Sequence, residues 1–243
     1  MTPNSSTFSV TPEMLGHVHV LDGLDHDLLA DIASRCRGRR FSKGQEIAAF
    51  GETEGDVFFL LEGKVTIALF SESGKEVVFR DLGLGAMFGE LTAIDRSHRS
   101  ADVDAAEDCA VAAMCATDFL EVVAQDRELM LRVLQQLSQL VRALSQRVFE
   151  HDALKVGSRI HAELYRMALE NGQANNQTKI VDAPTDEQLA NRIGTTREAV
   201  NKELSNMRRM GLVDKGPGWI EVRDVNTLQR LVTHEPVLFA ANG

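Results

Sequence analysis

The sequence predicts an α+β protein in three successive zones: a β-rich N-terminal domain, one long helix and a C-terminal winged helix-turn-helix. Three observations carry this. Between residues 40 and 115, short apolar or alternating runs are separated by Gly44, Gly51, Gly55, Gly63, Gly74, Gly83, Gly85 and Gly89, as in an antiparallel sandwich or barrel of short strands. Residues 126–152 contain neither Gly nor Pro, and their apolar residues recur at helical spacing. Beyond residue 154, two capped helix starts flank a glycine turn, and a Gly-Pro-Gly turn follows. The expected boundaries are an arm over 1–20, a β-rich domain over 21–125, the long helix over 126–153 and a winged-helix domain over 154–243.

Composition limits the classes. The 243 residues are 44% apolar and 26% charged, which excludes whole-chain disorder and collagen-like sequence. No run of 18 apolar residues occurs, so no membrane span is expected. The first residues lack the basic and apolar regions of a secretory signal. Cys36, Cys109 and Cys115 are too few and too scattered for a disulfide framework, which points to the cytoplasm. Charge is unevenly divided. Residues 1–154 hold 14 Lys/Arg against 25 Asp/Glu, a balance of −11, and residues 155–243 hold 12 against 11, a balance of +1. The net charge argues against non-specific nucleic-acid binding but leaves room for a locally basic C-terminal module.

The elements follow in order. Residues 1–20 read as a loosely ordered arm. Leu28, Leu29 and Ile32 predict a helix over 25–35 with Asp25 as N-cap. Strands are predicted at 46–50, 57–61, 65–70, 77–81 and 110–114, with Glu72-Ser73-Gly74-Lys75 as a hairpin turn. Leu134, Leu137, Val141, Leu144 and Val148 are spaced 3-4-3-4. Such a seam either packs the helix on its own domain or pairs two chains in a parallel coiled coil. A helix of about 27 residues is roughly 40 Å long, enough to overhang a small β-domain, which favours a dimer. Residues 158–171 read as a helix. Thr185-Asp186-Glu187-Gln188 and Thr195-Thr196-Arg197-Glu198 read as capping boxes opening two more, joined through Arg192-Ile193-Gly194. Leu212-Val213 and Trp219–Val222, around Lys215-Gly216-Pro217-Gly218, read as the wing.

Two constellations carry chemistry. The first is Phe88-Gly89-Glu90-Leu91 with Arg99-Ser100-Ala101 shortly after. Glycine lets the backbone approach a ligand closely. Glu can accept from a ribose hydroxyl, Arg can clamp a phosphate with its planar fork, and the Ser hydroxyl can complete the anion site. Taken alone, Phe-Gly-Glu reads as a turn with solvated charges; with Arg99-Ser100-Ala101 at this separation, inside a Gly-punctuated β-domain, it reads as a ligand site.

At these residues the chain resembles a known family. The stretch FGELTAIDRSHRSADV, residues 88–103, is similar to the phosphate-binding cassette of cyclic-nucleotide domains. The stretch IGTTREAVNKELSNMRRMGLV, residues 193–213, is similar to the recognition helix of the cyclic AMP receptor protein and fumarate-nitrate regulator (CRP/FNR) superfamily. The resemblance implies a cyclic-nucleotide-binding β-roll, a dimerisation helix and a winged helix-turn-helix. It implies a transcription regulator without enzymatic activity, whose partners are double-stranded DNA, a second copy of the chain and RNA polymerase. Its effector would be a cyclic nucleotide, cAMP or cGMP, with no covalent cofactor. Carried over residue by residue, Gly89 and Glu90 would hold the ribose side and Arg99 and Ser100 the cyclic phosphate. Ile67 and Phe79 would line an apolar wall, and Ser145 on the long helix would reach the purine, either in its own chain or from the neighbouring subunit. Two positions depart from the pattern. Leu144 stands where a Thr usually precedes that Ser, and Arg80 stands where those receptors have a small hydroxyl near the base. A regulator with another effector, one with none, and a nucleotide-sensing module whose C-terminal domain binds protein are the rival readings.

The second constellation is Thr196, Arg197, Glu198 and Lys202, at the start of the expected recognition helix. Arg reads guanine O6 and N7, Glu can accept from cytosine N4, and Thr196 can donate to a phosphate. Lys202 keeps the charge but not the fork of the family's usual Arg. No metal site is expected. His17 and His19 read as solvated, the cysteines as small buried hydrophobes, and no nucleophile–base arrangement or P-loop is present.

Overall fold

The computed structural model describes residues 7–70, 76–172 and 176–233. The chain divides into two units, Met1–Val141 and Arg142–Gly243. The first contains β1 (Thr7–Phe8), α1 (Pro12–Leu15), α2 (His26–Arg35), β2 (Cys36–Phe41), β3 (Glu46–Ala48), β4 (Val57–Glu62), β5 (Val65–Phe70), β6 (Glu76–Leu82), β7 (Met87–Phe88), α3 (Glu90–Asp95), β8 (Asp102–Ala105), β9 (Cys109–Met114) and α4 (Ala116–Gln125). The long helix α5 (Arg127–Ala153) follows. Two antiparallel sheets form, in the orders β1-β2-β9-β4-β7 and β3-β8-β5-β6.

Side chains alternate across a strand, so a strand buried on both faces must be apolar throughout. That is why β4 and β9 read as unbroken apolar runs. Phe58, Leu60, Cys109, Val111 and Ala113 face a core shared with the four-stranded sheet. Val57, Phe59, Ala112 and Met114 face a second core, built with the helices and containing Ile32, Phe119, Val122, Leu129 and Val133. The Asp25 carboxylate caps α2 by accepting from the Leu28 N–H at 2.9 Å.

Several expectations need correction. The arm is integral from residue 7 onward, because Leu15, Val18, Val20 and Leu21 are buried in the helix-side core. Phe8 of β1 closes over Gly38, where a Cβ would lie 2.6 Å from the ring. Strands β2, β7 and β8 and helix α4 go beyond the sequence reading. In β2, Arg37, Arg39 and Arg40 mask the pattern, and Arg39 and Arg40 lie over the rings of Phe41 and Phe8. The hairpin turn at Glu72-Ser73-Gly74-Lys75 lies outside the described residues.

Helix α5 carries two apolar stripes. Leu129, Val133 and Leu137 contribute to the helix-side core, whereas Leu131, Leu134, Val141, Leu144 and Val148 are exposed. Leu137 therefore packs on its own domain rather than joining the expected seam.

The second unit contains α6 (Val156–Glu170), β10 (Thr178–Val181), α7 (Asp186–Ile193), α8 (Arg197–Arg209), β11 (Val213–Gly216), β12 (Trp219–Val222) and α9 (Val225–Thr233). Its sheet runs β10-β12-β11. Ile160, Leu164, Leu189, Val200, Leu204, Met207, Ile220 and Leu228 share one core. Within this unit Arg166 binds both oxygens of the buried Glu150, at 3.1 and 3.0 Å, and pairs with Glu163. Those charge-assisted bonds join the end of α5 to α6. Among the described residues, no helix is long and apolar enough to cross a membrane.

Candidate effector site and DNA-reading face

The backbone turns sharply into α3 at Gly89, whose φ of +84° a side chain would strain. Space forbids a side chain as well. A Cβ there would lie 2.7 Å from Arg99 Nη1 and 2.8 Å from the Asp56 carbonyl oxygen. Glycine is therefore required for Arg99 to reach its seat. Its Nη1 donates to the Gly89 carbonyl at 3.0 Å and its Nη2 to the Asp56 carbonyl at 2.7 Å. The guanidinium also lies 5.5 Å from the ring centre of Phe58, which stacks on Phe88. Arg99 is only 5% exposed. Its Nε is buried with no hydrogen-bond partner, a donor that an anion can satisfy. Burial pulls the guanidinium below its ordinary pKa against the fields of Asp56, Glu52, Glu54 and Glu90.

Glu90, beside Gly89, is 2% exposed. Helix α5 reaches this spot through Gln136, which donates to the Met87 carbonyl at 3.2 Å and favours the charged Glu90 carboxylate. Ile67 and Arg80 face each other across the β5–β6 ladder. A bulge follows, since Ala68 pairs with Val78, leaving Phe79 as the extra residue. Ile67, Phe79 and Arg80 are half-buried and Ser100 is exposed. The first unit thus brings Gly89 and Arg99 into contact and sets Glu90 within the fields of Arg99 and Arg80, while Ser145 belongs to the second unit and is exposed. Gln136, the Asp56 carbonyl and Phe58 escaped the sequence reading. Only the helical position of Gln136, three residues past Val133, signalled its direction.

In the second unit, α7 opens with the expected capping box, Thr185 and Gln188 exchanging bonds of 3.2 and 2.9 Å. The N-cap of α8 is displaced by one residue from expectation. Thr196, not Thr195, accepts from the Ala199 N–H at 3.3 Å. Its hydroxyl proton remains free to donate. Arg197 and Glu198 are exposed in the first turn of α8, and Asn201, Lys202 and Ser205 continue the exposed face. Arg208 pairs with Asp214 at 3.4 Å. Behind the wing turn, Gly216 lies against the Trp219 indole, where a Cβ would come within 2.4 Å of it.

The cysteines are unlike a cluster-binding set. Burial pushes the Cys36 thiol up to about 12 and Cys109 up to about 11. Cys115, expected to be buried, is exposed and donates to Asp118 at 3.0 Å. His17 and His19 are exposed.

A two-sheet β domain followed by a winged helix-turn-helix is the architecture of a DNA-binding transcription regulator. Residues 38–126 match the cyclic nucleotide-binding domain, and residues 158–231 match the Crp-like helix-turn-helix domain. The cAMP-activated global transcriptional regulator Vfr of Pseudomonas aeruginosa is 26% identical, with 76% of this chain and 88% of that one aligned. The cyclic AMP receptor protein of Thermus thermophilus is 28% identical over 79% and 87%. A CooA variant from Carboxydothermus hydrogenoformans shares the fold at a TM-score of 0.74 and 20% identity, covering 88% of this chain and 94% of that one. The chain belongs to the CRP/FNR family of DNA-binding transcription regulators, and its relatives are regulators rather than enzymes.

Burial pushes the Glu90 carboxyl above its ordinary range. Its backbone N–H, Arg80, Gln136 and Arg99 offset this only in part. The folded chain therefore retains a proton that the unfolded chain has already released. The stability linked to this group is complete below the ordinary carboxylate pKa and is lost as pH rises through the raised value. Unfolding of the unliganded protein in urea should show Glu90→Gln gaining stability relative to the parent as pH rises from about 4 to about 7. A difference that stays constant across that range rejects the raised pKa.

Proposed function

We propose that this chain is a homodimeric regulator whose binding to a palindromic operator responds to a cyclic nucleotide, cAMP or cGMP. The observation that carries the proposal is the Arg99 guanidinium. It is buried, held by two carbonyls, and left with an orphan donor at the edge of a glycine turn. An equatorial phosphate oxygen is the acceptor such a donor lacks. Glu90 would accept from a ribose hydroxyl, Ser100 would complete the phosphate site, and Ile67 and Phe79 would form the apolar wall. Ser145 would approach the purine from α5. The exposed stripe Leu131, Leu134, Val141, Leu144 and Val148 supports a dimer through α5. Two α8 helices would then enter half-sites about 34 Å apart. RNA polymerase is the partner that the transcriptional role of the relatives suggests. The domain limits follow as an effector domain to residue 125, a dimerisation helix over 126–153 and a DNA-binding domain beyond it.

Calorimetric titration of the full chain with cAMP and cGMP, followed by operator binding with each, tests the whole reading. Replacing Arg99 with Ala should lower effector affinity about ten- to a hundredfold, the loss expected for one charge-assisted contact. Unchanged binding overturns the phosphate seat.

Placing Asp at both Val141 and Val148 should yield monomers in sedimentation, because two charges would enter the apolar stripe. A dimer that survives both changes lies elsewhere.

Arg197→Ala should cost about 1–3 kcal/mol per half-site on the preferred operator and flatten discrimination at one base pair. Titrations against single-base operator variants at several salt concentrations read this directly. Equal loss on every sequence would make Arg197 a phosphate contact.

A further inference from the structure

Two side chains from outside the helix-turn-helix converge on its turn. Between α7 and α8 the chain turns at Gly194, which adopts φ +67° and is exposed. A Cβ placed there would lie 3.5 Å from Cδ2 and 3.6 Å from Nε2 of His151, on the last turn of α5. It would also lie 3.8 Å from Nη1 of Arg159, on α6. The space beside Gly194 is thus flanked by an imidazole and a guanidinium.

Arg159 has donors that the protein does not use. Its Nη1 donates to the Ile193 carbonyl at 3.1 Å, at the end of α7. Its Nε is buried with no hydrogen-bond partner. Among the described residues Arg159 forms no ion pair, whereas the other basic side chains of α6 are matched by carboxylates. His161 lies 2.8 Å from Glu203, and Arg166 lies 3.0 Å from Glu150. A half-buried charge with no counter-ion is unfavourable, and an anion at the turn would offset that cost. His151 directs Nδ1 to the Asp152 carboxylate at 3.2 Å, which leaves Nε2 on the side of the turn.

The position of the turn on DNA follows from α8. The first residue of that helix is Arg197, three past Gly194. A helix that enters the major groove by its N-terminal end carries the residues before that end over the rim of the groove. The rim is the sugar–phosphate backbone, and its phosphate oxygens are the acceptors that the Arg159 guanidinium lacks.

We propose that Arg159 and His151 form a seat for a DNA backbone phosphate beside the helix-turn-helix turn, so that the duplex touches the end of α5 as well as α8. This rests on the assignment of α8 as the DNA-reading helix. The added contact carries no sequence information and fixes the register of α8 on the duplex.

The experiment is fluorescence anisotropy of the full chain at several salt concentrations, with cAMP and cGMP present. The probes are the duplex that the parent selects from a random-sequence pool and a scrambled duplex. Arg159→Gln should weaken both duplexes by the same factor, roughly tenfold per half-site. It should also lower the salt slope by about one per half-site. Arg159→Lys keeps the charge and should retain the slope. His151→Glu changes an exposed side chain and should weaken both duplexes alike. If Arg159 only braces the turn through Ile193, Arg159→Gln loses discrimination between the duplexes while the slope stays, and the seat is overturned. Unchanged affinity in His151→Glu overturns the contact with α5. Saturable calorimetric binding of inorganic phosphate to the DNA-free parent, with DNA affinity unchanged in Arg159→Gln, makes the occupant a free anion and overturns the DNA contact. Unchanged DNA binding by Arg159→Gln removes the seat and leaves the reading of α8 standing, whereas a parent chain that selects no duplex removes both.

Discussion

Keeping the Arg99 guanidinium inside the sensor deprives it of water, so its donors need acceptors from the chain. The backbone supplies them through the carbonyls of Gly89 and Asp56. Each of those acceptors constrains another part of the domain. The Gly89 carbonyl can face Arg99 only with no side chain at residue 89. The loop before β4 is fixed because Arg99 N donates to the Glu52 carbonyl at 2.8 Å and Gly51 N donates to the Arg99 carbonyl at 3.0 Å. Phe58 supplies a ring face beneath the charge and is itself held by stacking on Phe88. The doubly buried sheet is what makes this affordable: β4 and β7 are immobilised by cores on both faces, so the carbonyls around Arg99 cannot drift from bonding distance.

Legibility in the sequence followed the source of each signal. The strands β4, β5 and β9 were readable because burial alone sets their composition. Strand β2 was not, because Arg37, Arg39 and Arg40 dominate its pattern, and two of them lie on aromatic rings rather than in water alone. The arm misled for a related reason. Its polar composition is that of a surface segment, but Leu15, Val18, Val20 and Leu21 turn inward together, and a short helix followed by a 3-10 turn has no period long enough to announce that. At the candidate effector site the sequence marked the residues that the structure buries together, Gly89, Glu90 and Arg99, because a glycine before a carboxylate and a later arginine are distinctive side-chain types. The backbone carbonyl of Asp56 was not marked, because any residue there offers the same oxygen.

The one-residue displacement of the α8 cap has a physical cause. Thr195 and Thr196 are both good N-caps, and a Glu three residues after Thr195 favours the first. The turn decides otherwise. Gly194 adopts φ +67°, and the Thr195 N–H closes back on the Ala190 carbonyl at 3.0 Å, which ties Thr195 to the end of α7. Helix α8 must start one residue later, and Arg197 becomes its first residue rather than its second. The exposed face then runs through Arg197, Asn201 and Ser205, with Glu198 and Lys202 beside it. Asn201, one turn on from Arg197, is exposed on the same face and donates to Asp186 at 3.4 Å, which ties α8 to the start of α7.

Helix α5 meets two demands that a single heptad pattern cannot express. Leu129, Val133 and Leu137 recur every four residues and follow the curvature of the sensor core, while Leu134, Val141 and Val148 recur every seven and stay exposed. Gln136 falls beside the first stripe, and so its amide points into the sensor. There it bonds the Met87 carbonyl, two residues before Gly89, and supports the Glu90 carboxylate. Any adjustment of Gln136 moves a residue one helical position from Leu137 and two from Leu134. Gln136 thus ties the Gly89–Glu90 turn to the same helix that carries the exposed residues Leu134 and Val141.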